Sequence, residues 1–235
     1  MWETAERARW SPEPERSVLH VRRWLTPETC AQAAAQVLAA EAEWTHDFGG
    51  DQFSLGLAYY THFESGRTRH YFRDVALADA RVERVLPGLQ EAVRAWIAAI
   101  TGQPVVARAG WCGPGVHVFV PGSPVAERGG SVHFDLEGLR DDAERAAPAL
   151  SLVMVLQTAE AGGGLRVWPT RYHGSSHANA AERRAQYTYL AYEPGDLVVF
   201  ESQRLHQIEP FSGDRARITV TAHALWKDER WQVWF

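Results

Sequence analysis

Residues 214–225 read Asp214-Arg215-Ala216-Arg217-Ile218-Thr219-Val220-Thr221-Ala222-His223-Ala224-Leu225, and the fold assignment starts from them. The even positions from Ala216 to Ala224 are apolar, and the odd positions from Arg217 to His223 are polar. Because successive side chains of a β-strand point to opposite faces, this alternation predicts a strand with one apolar and one polar face. An amphipathic surface strand would show the same pattern, so the role of the polar face depends on the rest of the chain.

The other elements surround this strand in a recognisable order. Short β-type runs separated by glycine, proline and polar residues fill the second half of the chain, among them Ser131–Leu136. The first half predicts a strand at Phe53–Tyr60 and two helices, one from Pro27 and one from about Asp79 to Gly102, which Pro87 kinks or splits. The fold class expected is α+β, mainly β. We predict a single domain over residues 1–235, with a jelly-roll (double-stranded β-helix) core at about 105–226 and an N-terminal helical layer at about 26–102.

Composition and charge exclude several classes of protein. The chain has 235 residues, 46% of them hydrophobic, and a net charge of −5 without a basic run, which argues against nucleic-acid binding. No stretch is long and apolar enough to span a membrane. The two cysteines, Cys30 and Cys112, are far apart and form no motif, so a reducing, cytoplasmic setting is expected, although the two could pair. The oligomeric state cannot be read from the sequence.

A candidate metal site begins at Ser131-Val132-His133-Phe134-Asp135. In a strand, His133 and Asp135 would point to one face and reach the same ion. His206, which follows the predicted strand at 196–200, is the best candidate for a third ligand, and two histidines with one carboxylate form the facial triad of non-haem Fe(II) oxygenases. A His-x-Asp pair alone is weak in a chain with ten histidines. A surface histidine beside a turn-capping aspartate would explain it equally well.

A candidate anion site lies on the polar face of the predicted strand at residues 216–225. The guanidinium of Arg217 can bind a carboxylate through two parallel hydrogen bonds, and the hydroxyl of Thr219, two residues later on the same face, can add a third. This pair suits a dicarboxylate.

Six motifs occur in order between residues 115 and 225: His133–Asp135, Leu150–Leu156, Gly162–Val167, Glu193–Phe200, Leu205–Pro210 and Arg217–Thr219. Together they resemble the Fe(II)/2-oxoglutarate oxygenases of the prolyl-4-hydroxylase-like group. The resemblance implies that His133, Asp135 and His206 bind Fe(II), that Arg217 and Thr219 anchor 2-oxoglutarate as co-substrate, and that O2 is the oxidant. Arg215 can be aligned in place of Arg217, but only Arg217 has a hydroxyl two residues later.

The resemblance also implies a type of reaction. Halogenating relatives carry glycine or alanine where this chain has Asp135, so we expect hydroxylation of an unactivated C–H bond in a small molecule, such as an amino acid or related metabolite. Three alternatives stay open: a peptidyl hydroxylase of the same family, a zinc hydrolase, and a jelly-roll protein that binds a small ligand without catalysis.

The substrate side of the site is less well marked. Thr221 and His223 continue the polar face beyond the proposed anchor, and His117 lies on the strand before the metal motif. Trp168 follows the glycine turn at 162–164, where the family often has a substrate contact. Each of these four residues is a candidate substrate contact, with a strand-end or core position as its alternative.

Overall fold

The computed structural model of the protein describes residues 2, 8–10 and 18–235, so residues 1, 3–7 and 11–17 of the predicted domain lie outside the described part. The described helices are α1 (Pro27–Ala39), α2 (Tyr59–Glu64), α3 (Thr68–Val85), α4 (Leu89–Thr101), α5 (Pro124–Arg128), α6 (Asp142–Ala146) and α7 (Ala180–Arg184). The described strands are β1 (Val18–Val21), β2 (Thr45–Asp47), β3 (Gln52–Leu55), β4 (Val105–Ala107), β5 (Gly115–Phe119), β6 (Ala149–Gln157), β7 (Ala161–Gly162), β8 (Leu165–Arg171), β9 (Thr188–Leu190), β10 (Leu197–Glu201), β11 (Arg204–Ile208), β12 (Phe211–Ser212), β13 (Arg217–Lys227) and β14 (Arg230–Trp234).

The described strands form a large nine-stranded sheet, a small three-stranded sheet and a two-stranded pair. The large sheet has the order β1-β10-β6-β13-β5-β3-β2, and β13 is long enough to pair with β5 along its first half and with β14 along its second. β14 also pairs in parallel with β4. The small sheet has the order β11-β8-β9, and β12 pairs with β7 beside it. The mainly β, jelly-roll fold predicted from the sequence is confirmed.

One face of the large sheet is covered by helices. The even-numbered residues of β6 and β13 are buried against α1, α3 and α4 in one apolar cluster that includes Leu150, Leu152, Met154, Ile218, Val220, Ala222, Val37, Val93, Trp96 and Ile97. Burying each large aliphatic or aromatic side chain here stabilises the fold by about 1.5–3 kcal/mol. Since neighbouring side chains alternate, the odd-numbered residues of the same strands must face the small sheet.

The helix predicted from Asp79 to Gly102 is two helices and begins earlier. α3 starts at Thr68, where only Tyr71 is buried in the first two turns, so the apolar periodicity there is too sparse to reveal it. Pro87 and Gly88 separate α3 from α4 because proline lacks a donor and Gly88 adopts a φ of 74°. Gly102, at a φ of 68°, ends α4 as expected.

Other predicted bounds also differ in the structure. The strand predicted at Phe53–Tyr60 ends at Leu55, since Gly56 adopts a φ of 103° and Tyr59 begins α2. β1, β2 and β3 bring the N-terminal half into the large sheet, so this half is not only a helical layer. β14 extends the sheet beyond residue 226. Such boundaries depend on partners distant in sequence.

Among the described residues, no helix is both long and apolar enough to cross a membrane. Cys30 and Cys112 are buried and each is a free thiol.

A buried ion cluster ties the start of the jelly roll to its end. Glu144, on α6, accepts hydrogen bonds from Arg108 at 2.8 Å, Arg140 at 2.6 Å and Lys227 at 3.0 Å, and the side chains of Glu144 and Arg108 are each only 3% exposed. Burial by itself would raise the pKa of Glu144, but these cations hold it well below its usual range. Removing one partner of such a group leaves a buried charge uncompensated.

We therefore expect Glu144→Gln to lower the free energy of unfolding at pH 7 by about 3 kcal/mol. Because the pKa of Glu144 is lower in the folded state, the stabilisation is present above the unfolded pKa of about 4.3 and lost as the pH falls further. The difference in the free energy of unfolding between Glu144→Gln and wild type should therefore become smaller at acidic pH. Urea denaturation measures both effects, with Asp142→Asn on the exposed face of α6 as the matched control. Equal stability of Glu144→Gln and wild type at pH 7 would contradict the expectation.

Candidate active site

A cavity of about 260 Å³ lies between the two sheets. One side is lined by the polar face of β13, the odd-numbered residues of β5 and β6, and one residue of β10: Arg217, Thr219, Thr221, His223, His117, Phe119, Ser151, Val153 and Phe200. The other side is lined by the small sheet and residues 130–137: Leu165, His206, Ile208, Gly130, Ser131, His133, Asp135 and Glu137. The polar face predicted from residues 217–223 therefore points into the molecule, between the sheets.

The strand predicted at Ser131–Leu136 is absent. His133 instead forms an isolated two-way bridge with His206, its N–H 3.1 Å from the His206 carbonyl oxygen and its own carbonyl 2.9 Å from the His206 N–H. His206 lies in the middle of β11. The bridge sets the two imidazoles side by side with ring centroids 4.2 Å apart. Their proximity thus comes from cross-chain pairing.

Three side chains converge on one point of the cavity wall. Nε2 of His133 lies 3.3 Å from Oδ1 of Asp135, and Nε2 of His206 lies 3.5 Å from Oδ2. One ligand atom from each residue falls within 4.8 Å of the others, so the group could hold a metal ion. Each imidazole places Nδ1 at a backbone carbonyl oxygen, that of Ser131 at 2.8 Å and that of Arg204 at 2.9 Å. These bonds require a proton on Nδ1 and leave Nε2 free for the shared point.

Asp135 is oriented by serines that the sequence analysis did not single out. Its backbone N–H donates to the Ser202 carbonyl at 2.9 Å, and its Oδ2 accepts from the Ser151 hydroxyl at 2.5 Å. The two serine hydroxyls are 2.9 Å apart. Ser151 is the one polar residue in the apolar run Leu150–Leu156, which is the signal that could have marked it.

The electrostatics of this group favour a cation. Burial alone would raise the pKa of Asp135, but the neighbouring His206, His223 and His133 hold it well below its usual range. Burial opposes a charge on His133, yet Asp135 raises the pKa of His133 to about 9. The negative potential that retains a proton here would also favour a divalent metal ion.

Arg217 is a buried cation without a carboxylate partner among the described residues. Its side chain is 3% exposed and donates to the Tyr192 hydroxyl at 2.8 Å and to the Gly163 carbonyl at 3.1 Å. The Thr219 hydroxyl is 3.4 Å from Nη1. Gly163 adopts a φ of 75°, and an added Cβ would come within 3.4 Å of the Arg217 side chain. The glycine turn thus shapes the cradle in which the guanidinium lies.

Arg215, the alternative to Arg217, does not reach the cavity. Its exposed side chain donates to the backbone carbonyls of Thr158 at 2.8 Å and Ala159 at 3.4 Å. Of the two arginines, only Arg217 shares the cavity with the three converging side chains.

Three of the four candidate substrate contacts line the cavity, and one does not. His117, Thr221 and His223 are on its wall. The prediction for Trp168 is wrong in position, since the indole is 3% exposed and packs against Tyr187 with ring centroids 5.2 Å apart. Trp168 alternates with the inward-facing Val167 and so lies on the other face of β8.

The N-terminal half supplies wall residues that no spacing in the sequence indicated. Tyr60 accepts a hydrogen bond from Gln52 at 2.5 Å, and both line the cavity. Glu64 and Glu137 line it on the side of His133, and burial raises the pKa of both carboxyls. Gln52 on β3 and Tyr60 and Glu64 on α2 reach the wall because β3 and α2 fold against the jelly roll, whereas Glu137 belongs to the segment that carries His133 and Asp135.

Comparison with known proteins supports this assignment of the fold. Residues 135–235, a little under half of the chain, match the family described as carrier-protein-independent halogenase WelO5. No curated protein sequence matches the chain significantly.

Many solved structures are similar in fold, among them the three that follow. The N-substituted L-amino acid dioxygenase from Burkholderia ambifaria AMMD, in complex with α-ketoglutarate, is 17% identical with a TM-score of 0.58, covering 94% of this chain and 87% of its own. The α-ketoglutarate-dependent epimerase SnoN from nogalamycin biosynthesis is 17% identical with a TM-score of 0.54, covering 90% and 80%. AviO1 from Streptomyces viridochromogenes Tue57 is 16% identical with a TM-score of 0.53, covering 91% of both chains.

The chain has the jelly-roll fold found in non-haem iron, 2-oxoglutarate-dependent oxygenases. The family match over residues 135–235 agrees with the resemblance that the sequence motifs carry.

Proposed function

We propose that this protein is an Fe(II)- and 2-oxoglutarate-dependent dioxygenase that hydroxylates an unactivated C–H bond of a small molecule, such as an amino acid or related metabolite. The observation that carries the proposal is the presence, in one cavity, of a two-histidine, one-carboxylate group and a buried arginine without an anionic partner among the described residues. The first suits a metal ion and the second an anion.

The residues fit iron. Two imidazole nitrogens and one carboxylate oxygen are the donor set of a facial triad, which leaves coordination positions open for other ligands. The Nδ1 contacts of His133 and His206 fix the tautomer that a metal ligand needs, and Ser151 holds the carboxylate of Asp135. Bound iron, with 2-oxoglutarate and O2, would supply the oxidative chemistry.

The residues also fit 2-oxoglutarate. A buried charged arginine is costly unless it is paired, so Arg217 calls for a carboxylate. We assign to it the carboxylate of 2-oxoglutarate distant from the metal, with the Thr219 hydroxyl as a further donor. Tyr192 and Gly163 hold the guanidinium in place before the anion arrives, which lowers the entropic cost of binding.

Asp135 favours hydroxylation over halogenation. Its carboxylate would occupy the position that a halide needs at the metal, and the resemblance implies that halogenating relatives carry glycine or alanine there. The match to a halogenase family begins at Asp135, so the carboxylate at this position is the feature that supports hydroxylation.

The shape and lining of the cavity favour a small substrate. A volume of about 260 Å³ is close to the lower end of small-molecule sites, whereas a peptidyl hydroxylase needs room for an extended chain. A zinc hydrolase would give Arg217 no role, and a binding protein without catalysis would not need three converging ligand atoms.

An anaerobic titration tests the proposal. After addition of one equivalent of Fe(II), stepwise 2-oxoglutarate should produce the weak visible charge-transfer band of an iron chelate, saturating at one equivalent. The three-residue group and Arg217 together predict this stoichiometry. Zn(II) in place of Fe(II) is the control and should give no band. Iron that binds without any band on addition of 2-oxoglutarate would contradict the proposal.

A further inference from the structure

The charged side chains of the cavity wall that have no role in binding the metal or 2-oxoglutarate are all acidic. If Asp135 binds metal and Arg217 binds 2-oxoglutarate, the remaining charged side chains on the wall are Asp51, Glu64 and Glu137. All three are acidic, and none forms an ion pair within the described part of the chain. A second free carboxylate entering this cavity would meet these anions and no further cation.

A buried histidine provides a second, independent feature. The side chain of His117 is 6% exposed and lines the cavity, and its Nδ1 lies 3.0 Å from the Ser54 hydroxyl. Ser54 in turn donates to Oδ2 of Asp47 at 2.6 Å, and Thr61 donates to Oδ1 at 2.7 Å. Asp47, Ser54 and Thr61 are all fully buried. This polar chain has no part in the metal or 2-oxoglutarate sites.

The direction of these hydrogen bonds fixes the chemistry of His117. The single hydroxyl proton of Ser54 goes to the carboxylate of Asp47, so the Ser54 oxygen must accept from Nδ1–H of His117. Nε2 then carries a lone pair and, among the described residues, has no hydrogen-bond partner. Burial, followed by the neighbouring His223 and Arg217 side chains, lowers the pKa of His117 to about 3, so the ring is neutral. A neutral Nε2 can only accept a hydrogen bond.

We propose that the substrate is an amine without a free carboxylate, whose protonated amino group donates to Nε2 of His117 and is attracted by the carboxylates of Glu64 and Glu137. This inference rests on the proposed function and narrows its substrate class from amino acids and related metabolites to amines that lack the carboxylate of an amino acid. The charged wall groups left over are all negative, and Nε2 of His117 accepts a hydrogen bond, so a protonated amine complements both. Apolar wall residues such as Phe48 and Phe119 leave room for a hydrocarbon or aromatic remainder.

Matched ligands test the charge. The protein loaded with Fe(II) and 2-oxoglutarate, kept free of O2, is titrated by calorimetry with phenethylamine, N-acetylphenethylamine and 3-phenylpropionate, and with the same three forms of indolylethyl and cyclohexylethyl skeletons. We expect the amines to bind at least tenfold more tightly than their amides or acids. Equal or tighter binding of amides or acids, or no binding by any amine, overturns the proposal.

Variants test the residues. The double variant Glu64→Gln/Glu137→Gln should weaken amine binding about tenfold relative to the control Asp142→Asn, which removes an exposed charge outside the cavity. His117→Leu should weaken it similarly, while His117→Gln, which keeps an acceptor, should restore part of the affinity. Unchanged amine affinity in both the double variant and His117→Leu overturns the proposal.

The tautomer of His117, measured by NMR, distinguishes a role of Ser54 in positioning the His117 ring from a role in structural stability alone. Nitrogen-15 spectra of the histidines should show His117 as the Nδ1–H tautomer, and Ser54→Ala should shift this tautomer and weaken amine binding while the chelate band of Fe(II) and 2-oxoglutarate persists. An Nε2–H tautomer in the wild-type protein overturns the role of His117. Loss of the chelate band would point instead to failure of the proposed function.

Discussion

Replacing His133 or His206 with alanine is expected to abolish stable Fe(II) binding and, with it, turnover of 2-oxoglutarate. Each variant removes one of only three converging ligand atoms. Loss of a residue that merely orients a metal ligand typically lowers metal affinity 10–100-fold, so loss of a ligand should exceed about 100-fold. The measurement is iron per protein after anaerobic reconstitution and dialysis, alongside succinate release.

The two variants should differ in their effect on folding. His206 is 5% exposed within β11, so His206→Ala also leaves a small cavity, whereas the His133 side chain is 38% exposed and should be removed at little cost in stability. Circular dichroism checks that both fold, and His177→Ala, in an exposed loop, is the matched control. A full complement of iron in either ligand variant would remove that histidine from the proposed site.

Arg217→Ala is expected to raise the dissociation constant of 2-oxoglutarate about 100-fold, and Arg215→Ala to change it less than about twofold. Truncating one partner of a buried hydrogen-bonded charge pair costs about 2–5 kcal/mol, and about 2.7 kcal/mol corresponds to 100-fold. Arg215 contacts only backbone carbonyls at the surface. The anaerobic chelate band, titrated with 2-oxoglutarate, measures both constants.

Two further variants sharpen this comparison. Arg217→Lys keeps the charge but loses the planar two-pronged donor, so it should fall between wild type and Arg217→Ala. Thr219→Val should have a smaller effect than Arg217→Ala, since it removes one neutral hydroxyl. If Arg215→Ala weakened 2-oxoglutarate binding more than Arg217→Ala, the proposed anchor would be misassigned by two residues.

Much of the fold was predictable because it depends on local periodicity. The alternation over residues 216–224 indicated correctly which side chains of β13 face the helices and which face the cavity. The apolar spacing of α4 and its stop at Gly102 were also visible in the sequence. The start of α3 and the helix α2 were not, because few of their residues are buried and the burial pattern carries the signal.

The candidate site was only partly predictable. Residue types and order marked His133, Asp135, His206 and Arg217, but the reason given for the first pair, a shared strand face, was wrong. The backbone bridge between His133 and His206 brings their imidazoles together instead. Because this bridge pairs residues from separate parts of the chain, the sequence did not indicate it. The sequence indicated that Trp168 lies on a strand, but it did not show which face of that strand points into the cavity. In the structure, Trp168 lies on the opposite face, where it packs against Tyr187.

The jelly-roll class, the polar face of β13 and the residue types of a facial triad were readable from the sequence, since they depend on local periodicity and on the types and order of residues along the chain. Folding was needed to show that Arg217 is enclosed and Arg215 exposed, that Ser151 orients Asp135, and that Asp47 and Ser54 lie behind His117. It also decided that Glu64 and Glu137 share the cavity wall. These contacts join residues from different strands and helices. A charge without a partner indicates a binding site only when it is buried, and burial exists only after the chain has folded.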